Sequence, residues 1–285
     1  MRAIRKNIAW IMLIMLFAVG CSSIEKAESL YRQGEKQEAL EMAISLLEDD
    51  SPKVRLRAVK LIGSIGGPQA GPALHERIVE TDARVLREVV RNLGKVKYEP
   101  AIEDLADMAT ESNSDMLRAL ADAFREYGKP AIDVIVSRYD SSNQSANRAA
   151  YKELLIAVGP EIADSISKLL KGRSFFENRD TFEILRQIKN PRVATLMLPY
   201  LADEEVAEQV VEAMRNLGSN AVEATITALQ KQKKSGDLLV TERLIRILGL
   251  LKAKQGIEML ESYSQHDSER IRNAVEQSLF QIRGF

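Results

Sequence analysis

Apolar residues recur along most of the chain at the three- and four-residue spacing that places side chains on one face of an α-helix. Before a series of regularly spaced anchor positions, apolar side chains stand one, five and nine residues upstream. Before Gly63, for example, these positions hold Ile62, Ala58 and Val54. Such a stripe is typical of a helix face that packs against a core. The pattern therefore predicts a chain of amphipathic helices.

The anchors recur at intervals of 31, 34, 31, 30, 29, 31 and 31 residues. Most are glycine, which is typical where a helix ends with a positive φ that would strain other side chains. Prolines follow five anchors closely, and the fixed φ of proline suits the first turn of a second helix. One period thus contains two helices joined by short turns. The anchors are Gly63, Gly94, Gly128, Gly159, Lys189, Gly218, Gly249 and Phe280, and the prolines are Pro68, Pro100, Pro130, Pro160 and Pro191.

One helix pair of this length cannot bury its apolar face, so successive pairs must stack into a continuous core. Residues 51–285 resemble HEAT repeats, particularly the short HEAT-like kind also found in phycobilin lyases. The clearest copy reads DSPKVR from Asp50 to Arg55 and ends at Gly63 and Pro68. The resemblance implies an all-α fold, a right-handed α-solenoid of stacked antiparallel helix pairs. It also implies that the second helices line the inner curve and grip partners.

Residues 24–50 differ from the rest and resemble part of a tetratricopeptide repeat. One copy favours a capping hairpin that closes the first end of the core, with peptide binding as the alternative. At the other end, residues 268–283 form an amphipathic helix that we expect to cap the last unit. The resemblance of the first hairpin lies in Ala27, Leu30, Tyr31, Gly34, Glu38, Ala39, Leu40 and Ala43.

The first twenty residues have the organisation of an export signal. A basic start with Arg2, Arg5 and Lys6 precedes an apolar run over residues 8–19. This run is shorter than the roughly 20 residues that a helix needs to cross a bilayer. It fits the apolar region of a secretory signal peptide, which we assign to residues 1–20.

The signal ends in FAVGC, which resembles a bacterial lipobox, with Ala18 where leucine is usual. The resemblance implies cleavage before Cys21 and transfer of diacylglycerol to its sulfur. Residues 21–23 would then form a short lipidated tether. Ser22, rather than aspartate, follows the cysteine, and the resemblance to Gram-negative lipoproteins then implies sorting to the outer membrane, facing the periplasm, rather than retention in the inner membrane. The sequence therefore predicts a lipid-anchored protein of the bacterial cell envelope.

The amino-acid composition restricts the kinds of functional site that the chain can form. Of the 285 residues, 45% are apolar and 28% charged, with 40 Lys+Arg against 41 Asp+Glu. This balance excludes a disordered chain and a polybasic nucleic-acid binder. One cysteine and two histidines exclude an intramolecular disulfide and leave too few ligands for zinc or an iron–sulfur cluster. His75 and His266 stand about six repeats apart, so they cannot share a site within one chain. We therefore expect no catalytic residue, no metal and no cofactor.

Basic residues cluster on one face of the helices that precede the anchors. The position three before the anchor is basic in six of eight copies, and the position six before it is acidic in five. These residues are either a ladder of exposed ion pairs or a groove that binds an acidic peptide or protein surface. The candidate partner-binding face consists of Lys60, Arg84, Arg91, Arg118, Arg125, Arg179, Arg186, Arg215 and Arg246.

These features together predict a membrane-anchored envelope lipoprotein whose α-solenoid is a scaffold or adaptor for a protein partner, without enzymatic activity. Two alternatives remain. One is an enzyme of the phycobilin lyase kind, although an export signal does not suit an intracellular chromophore attachment. The other is a structural lipoprotein without a dedicated partner.

Overall fold

The computed structural model describes residues 23–170 and 175–284. Every regular element in these two ranges is a helix, so the predicted all-α fold is confirmed. None of the described helices combines the length and the apolar character needed to span a bilayer. The predicted signal peptide, residues 1–20, and Cys21 lie outside the described residues.

The chain divides into two compact units, the first ending at Val158 and the second beginning at Gly159. In the first unit, short 3-10 helices at Leu46–Glu48, Glu99–Ala101 and Met108–Glu111 join longer α-helices. The α-helices are α1 (residues 23–33), α2 (Lys36–Ser45), α3 (Pro52–Ile65), α4 (Ala70–His75), α5 (Ala83–Val96), α6 (Ile102–Asp107), α7 (Ser114–Tyr127), α8 (Lys129–Ser141) and α9 (Ser145–Val158).

The second unit repeats this arrangement. Its α-helices are α10 (Ala163–Ser167), α11 (Phe175–Gln187), α12 (Pro191–Met197), α13 (Ala207–Leu217), α14 (Val222–Ser235), α15 (Leu238–Leu250), α16 (Ile257–Glu261) and α17 (Glu269–Arg283). Its 3-10 helices are Pro160–Ile162, Lys168–Leu170, Leu198–Ala202, Gly218–Ala221 and Lys254–Gly256.

Within each unit the helices form two layers. Odd-numbered helices pack on odd-numbered neighbours: α5 lies against α3 and α7, α7 against α9, and α15 against α13 and α17. Even-numbered helices form the other layer, with α6 against α8 and α12 against both α10 and α14. Each unit is therefore a stack of helix pairs, which confirms the predicted all-α solenoid architecture.

The core consists of the apolar stripes that the periodicity indicated. Val54, Ala58 and Ile62 of α3 are all buried. The equivalent residues of two other odd-numbered helices are buried as well: Val85, Val89 and Leu93 in α5, and Val240, Leu244 and Leu248 in α15. Burial of these side chains supplies the apolar free energy that holds neighbouring pairs together.

The anchor glycines are of two kinds. Gly128, Gly159 and Gly218 have positive φ angles of 77°, 86° and 59°, and Gly128 and Gly218 follow directly on the ends of α7 and α13, as predicted. Gly63 and Gly94, in contrast, lie inside α3 and α5.

The prediction that these inner glycines terminate helices is wrong, because they serve close helix packing instead. A Cβ on Gly94 would lie 2.5 Å from the Cα atom of Ala123 in α7. A Cβ on Gly249 in α15 would lie 2.7 Å from the Oγ atom of Ser278 in α17. These helices end one or two residues later, α5 at Val96 before Lys97 (φ 53°) and α15 at Leu250, two residues before Lys252 (φ 49°).

Helix α1 belongs to the odd-numbered layer. The Arg57 guanidinium of α3 donates two hydrogen bonds, of 2.9 and 2.8 Å, to the Glu28 carboxylate of α1. Gly34, with φ 90°, then turns the chain into α2. Residues 23–48 thus form a helical hairpin that adds an odd-numbered helix before α3. The assignment of residues 24–50 as a separate capping module stays a prediction.

Candidate partner-binding face

All nine predicted basic residues lie on odd-numbered helices. In the first unit the structure places Lys60 on α3, Arg84 and Arg91 on α5, and Arg118 and Arg125 on α7. In the second unit Arg179 and Arg186 lie on α11, Arg215 on α13 and Arg246 on α15. The repeat therefore brings five of them to one layer of the first unit and four to one layer of the second.

Three of these arginines bind acids of a neighbouring repeat. Arg186 donates to the Glu212 carboxylate across the α11–α13 contact, with an Nη1–Oε1 distance of 2.9 Å. Arg246 donates two hydrogen bonds, of 3.0 and 2.8 Å, to Glu208 of α13. Arg91 forms a longer ion pair with Asp122, at 3.5 Å. These three ion pairs run between repeats, whereas the spacing of the charges predicts pairs within single helices.

Arg125 is a structural residue. Its Nε atom donates to the carbonyl of Val158 at 2.9 Å, and Nη2 donates to the carbonyl of Ala157 at 2.6 Å. Both carbonyls belong to the last turn of α9, which has no intrahelical partners for them. Nη1 donates to Asp122 at 2.6 Å, as the spacing of three predicted. Arg125 thus joins the end of α9 to α7.

Arg84 is held at the start of its own helix. It donates to Asp82, the N-cap of α5, at 2.8 Å through Nη2. The Asp82 carboxylate also accepts the backbone N–H groups of Arg84 and Val85. The hydrogen bond from Arg84, with those backbone donors, lowers the pKa of Asp82 from its ordinary value. This cation therefore belongs to a helix cap.

Four cations remain available to a partner. Arg118 is 76% exposed and forms only a long, exposed ion pair of 3.7 Å with Asp115 of its own helix. Lys60, Arg179 and Arg215 are exposed, and none of the three forms an ion pair within residues 23–170 and 175–284. The exposed cation set, as we call Lys60, Arg118, Arg179 and Arg215, is the part of the predicted face that forms no ion pair between repeats among the described residues and binds no helix end.

The structure contains a buried acid, Glu80, that was not identified from the sequence. The Glu80 side chain is 1% exposed and accepts two hydrogen bonds of 2.8 Å from Arg55. It also accepts from Arg77 and from the backbone of Asp82. These donors, Arg55 above all, lower the pKa of Glu80 to about 2. A carboxylate held charged in this way has a structural role. The available signal in the sequence was Arg55, a basic residue that directly follows Val54 in the clearest repeat.

The two histidines have local structural partners. His75 Nε2 lies 2.7 Å from the Asp104 carboxylate of the next repeat. His266 stacks on Tyr263, and its Nδ1 accepts the backbone N–H of Ser268. Within the described part of the chain, no three His, Cys, Asp or Glu side chains are grouped so that they could hold a metal ion.

Three of the solved structures that match this chain are at most 18% identical to it in sequence. An engineered protein is 18% identical over 94% of this chain and 83% of its own, with a TM-score of 0.34. Human deoxyhypusine hydroxylase, solved with glycerol, is 18% identical over 90% of this chain and 99% of its own, with a TM-score of 0.36. A chain from the structure of Kap95p with RanGDP is 12% identical over 91% of this chain and 42% of its own, with a TM-score of 0.38.

No curated protein gives a significant sequence match. One protein-family model matches this chain, over the part of the first unit in which the repeat signature is clearest. The matched segment begins within α2 and ends at Arg125 in α7. It includes the Arg55–Glu80 ion pair and the contact of Gly94 with α7. Residues 40–125 match the family model described as HEAT repeats.

Proposed function

We propose that the protein is a lipid-anchored, non-enzymatic scaffold or adaptor of the bacterial cell envelope. A stack of HEAT-like helix pairs is suited to protein–protein interaction, because each repeat adds surface to one layer. The observation that carries the proposal is the exposed cation set on the odd-numbered helices. Lys60, Arg179 and Arg215 form no ion pair with a described residue, and Arg118 forms only a long, exposed one with Asp115. These cations are therefore accessible to the carboxylates of an acidic peptide or protein surface.

The paired arginines have a different role in this proposal. Arg91, Arg186 and Arg246 hold adjacent odd-numbered helices in register through acids of the neighbouring repeat. An acidic partner would have to compete with these intramolecular carboxylates. Within the exposed cation set only Arg118 meets such competition, from Asp115 at 3.7 Å, so we expect the set to carry most of the electrostatic attraction.

Charge reversal separates the two groups of cations. We expect the variant Lys60→Glu, Arg118→Glu, Arg179→Glu and Arg215→Glu to lose crosslinked partners in intact cells while its melting temperature stays unchanged. The control replaces Arg91, Arg186 and Arg246 by Gln, which removes ion pairs between repeats. It should lower the melting temperature and retain more of the crosslinked partner. Mass spectrometry of the crosslinked products measures capture.

The alternatives give other results in the same experiment. Equal capture by wild type and the four-residue variant would reject the binding face. A lack of any crosslinked partner would favour a structural lipoprotein. A chromophore that absorbs visible light and copurifies with the protein would favour an enzyme of the phycobilin lyase kind.

In this proposal the protein is attached to the membrane through Cys21. Thioether-linked diacylglycerol, with further acylation, inserts long chains into a bilayer, and each buried methylene contributes about 0.8 kcal/mol. Because α1 covers residues 23–33, the first helix would begin two residues after the lipid. The repeats would thus start close to the membrane surface, which we place at the periplasmic side of the outer membrane.

The substitution Cys21→Ser tests the attachment to the membrane. We expect the variant to keep its signal peptide, to lack acyl chains by mass spectrometry and to leave the acylated membrane fraction. The control is Ser23→Ala, which leaves the predicted lipobox intact. Processing and acylation of the Cys21→Ser variant at wild-type levels would contradict the lipoprotein assignment.

A further inference from the structure

The two layers of the first unit carry opposite net charges. In the even-numbered layer, twelve Asp and Glu residues stand against four Lys and Arg residues. In the odd-numbered layer, fourteen Lys and Arg residues stand against seven Asp and Glu residues. The first unit therefore has one acidic layer and one basic layer. The even-numbered layer comprises residues 36–48, 70–80, 99–111 and 129–141, and the odd-numbered layer residues 23–33, 52–65, 83–96, 114–127 and 145–158.

Most bases of the acidic layer are paired, whereas many of its acids are not. Arg77 binds two carboxylates, at 2.8 and 3.1 Å, and Arg138 binds two more, at 2.8 and 3.2 Å. Lys129 pairs with Asp133, so Lys36 is the one base of the four that has no ion pair with a described residue. This layer therefore keeps an excess of negative charge, which repels itself and attracts a cationic partner. The exposed acids of the layer that form no ion pair with any residue that the structure describes are Glu38, Glu41, Glu76, Glu99 and Glu111.

Two of these unpaired acids line a groove between α2 and the segment that contains α4. The groove has a volume of about 470 Å³, within the range of about 300–1,000 Å³ that is typical of ligand sites in proteins. Glu41 and Glu76 are the charged residues of its lining, and Gln69 is uncharged. Every charge in the lining is therefore negative. The apolar residues of the lining are Ile44, Pro68, Pro72 and Ala73.

Both carboxylates of the groove can accept further hydrogen bonds. Glu41 on α2 accepts one, from the Gln37 side chain at 2.7 Å. Glu76, directly after α4, accepts none from a described side chain. An ionised carboxylate has about four acceptor positions. Arg77, the base that follows Glu76 in the chain, is bound to two other carboxylates. The two groove carboxylates are therefore accessible to a cation from outside the chain.

The combination of negative charge with apolar surface determines which occupant fits. An acidic segment or an anionic lipid surface is repelled by the acidic layer. A metal ion leaves the apolar lining unused. Lysine and arginine side chains use both features, because their aliphatic stems pack on apolar surface while their charged ends stay at its polar edge. A peptide segment that combines such residues with an apolar side chain therefore complements this groove.

We propose that the groove between α2 and α4 is a docking site for a basic segment of a protein partner. An apolar side chain of the segment lies on Ile44 and Pro72, and two Lys or Arg side chains bind Glu41 and Glu76. The site lies on the even-numbered layer and uses none of the exposed cation set. It therefore goes beyond the scaffold face proposed above, and it gives the first unit a second face, for a partner of the opposite charge.

The probe is a rhodamine-labelled 12-residue peptide that carries four lysines and two leucines in a background of serine and glycine. One control peptide has glutamine in place of each lysine, and another has serine in place of each leucine. Fluorescence anisotropy measures their binding to the full chain in phosphatidylcholine nanodiscs, with empty nanodiscs as the blank. We expect the lysine peptide to bind about tenfold more tightly than the glutamine peptide at low salt and to lose this advantage at high salt. Removal of the leucines should weaken binding about threefold, because less apolar surface is buried.

Two double variants separate the groove from the acidic layer as a whole. Glu41→Gln with Glu76→Gln removes the charges of the groove and should weaken binding of the lysine peptide about fivefold at physiological salt. Glu99→Gln with Glu111→Gln removes the same number of exposed charges from the same layer outside the groove. It should weaken binding by less than about twofold, because distant exposed charges are screened. Both variants should keep the wild-type circular dichroism spectrum, which checks folding. A larger loss for the groove variant, together with dependence on the leucines, would support the proposal.

Other outcomes would overturn it. Equal affinity for the lysine and glutamine peptides, or no binding of either, would reject a site for a basic segment. Equal effects of the two double variants would reject the groove in favour of diffuse attraction by the whole acidic layer. Self-association in sedimentation that Glu41→Gln with Glu76→Gln removes would identify the basic layer of a second copy as the occupant. Charge reversal of the exposed cation set leaves both groove carboxylates in place, so the two proposals fail independently.

Discussion

The Glu80 carboxylate is the clearest example of how single side chains stabilise the first unit. It lies between Arg55 of α3 and Arg77, which also binds Glu48 at 2.8 Å. Arg55 in addition donates to the carbonyls of Asp49 and Asp50, just before its own helix. The buried acid therefore ties the segment after α4 to the start of α3.

The pKa of Glu80 predicts how stability depends on pH. Because the folded-state pKa is about 2, below the ordinary value of 4.5, the carboxylate stays charged in the folded chain where the unfolded chain binds a proton. Its stabilisation is fully present above about pH 4.5 and is lost as the pH falls toward 2. Glu80→Gln should remove this part of the pH dependence.

At pH 7 we expect Glu80→Gln to lower the free energy of unfolding by about 3 kcal/mol, because it leaves the buried Arg55 without its counter-charge. Chemical denaturation at pH 7 and pH 3 measures both effects. Glu48→Gln is the control, since this carboxylate is 78% exposed in its contact with Arg77. An equal loss of stability in the two variants would contradict a special role for the buried acid.

At the scale of the elements, packing between odd-numbered helices depends on small residues at the points of closest approach. A Cβ on Gly94 would lie 2.5 Å from Cα and 2.8 Å from the carbonyl oxygen of Ala123. Backbone atoms of α7 cannot rotate away as a side chain can. We expect Gly94→Ala to lower the free energy of unfolding by about 2 kcal/mol despite the higher helix propensity of alanine.

The neighbouring exposed residue supplies the control for this substitution. Lys95→Ala changes the same turn of α5 without adding an atom to the contact with α7, so it should leave the unfolding free energy nearly unchanged. Thermal denaturation followed by circular dichroism compares the two variants. A Gly94→Ala protein as stable as the wild type would show that α5 and α7 are farther apart than in this structure.

Arg125 and Arg215 occupy the same position three residues before their anchors, yet only Arg125 reaches helix-end carbonyls. Arg125→Gln should therefore lower the unfolding free energy by about 1 kcal/mol, since two carbonyls of α9 lose a charged donor. Arg215→Gln should leave stability unchanged, because Arg215 is exposed and has no ion pair among the described residues. Equal effects of the two substitutions in denaturant titrations would contradict the structural role of Arg125.

At the scale of the whole molecule, each compact unit contains its own core and its own contacts between repeats. A fragment of residues 23–158 retains the Arg57–Glu28 and Arg55–Glu80 pairs and the bonds from Arg125 to α9. We expect it to be helical by circular dichroism and to unfold cooperatively. A repeat stack permits this because each repeat contacts mainly its neighbours.

A shorter fragment, residues 23–144, is the control. It lacks α9, which packs on both α7 and α8, so apolar surface of both helices becomes exposed. We expect this fragment to aggregate or to lose cooperative unfolding. If the 23–158 fragment were unfolded while the full chain was folded, the first unit would depend on the second for its stability.

The sequence by itself determined the helical class, the period of the repeat and the faces that become buried, because these follow from local spacing of apolar residues. It also placed all nine basic residues on the helices that precede the anchors. Apolar periodicity is sufficient for such predictions, since a helix turns by a constant angle per residue. The lipobox and the signal peptide depend on local sequence as well, and they stay predictions.

Only the tertiary structure decided which cations are used inside the fold. Glu80 and Arg55 are 25 residues apart, Arg186 and Glu212 are 26 apart, and Arg246 and Glu208 are 38 apart. The role of Gly94 was also decided only by the tertiary structure. Its small size permits the close contact between α5 and α7, and it does not terminate α5. Local spacing specifies the face of a helix on which a residue lies, whereas its partners depend on the register and distance between stacked helices.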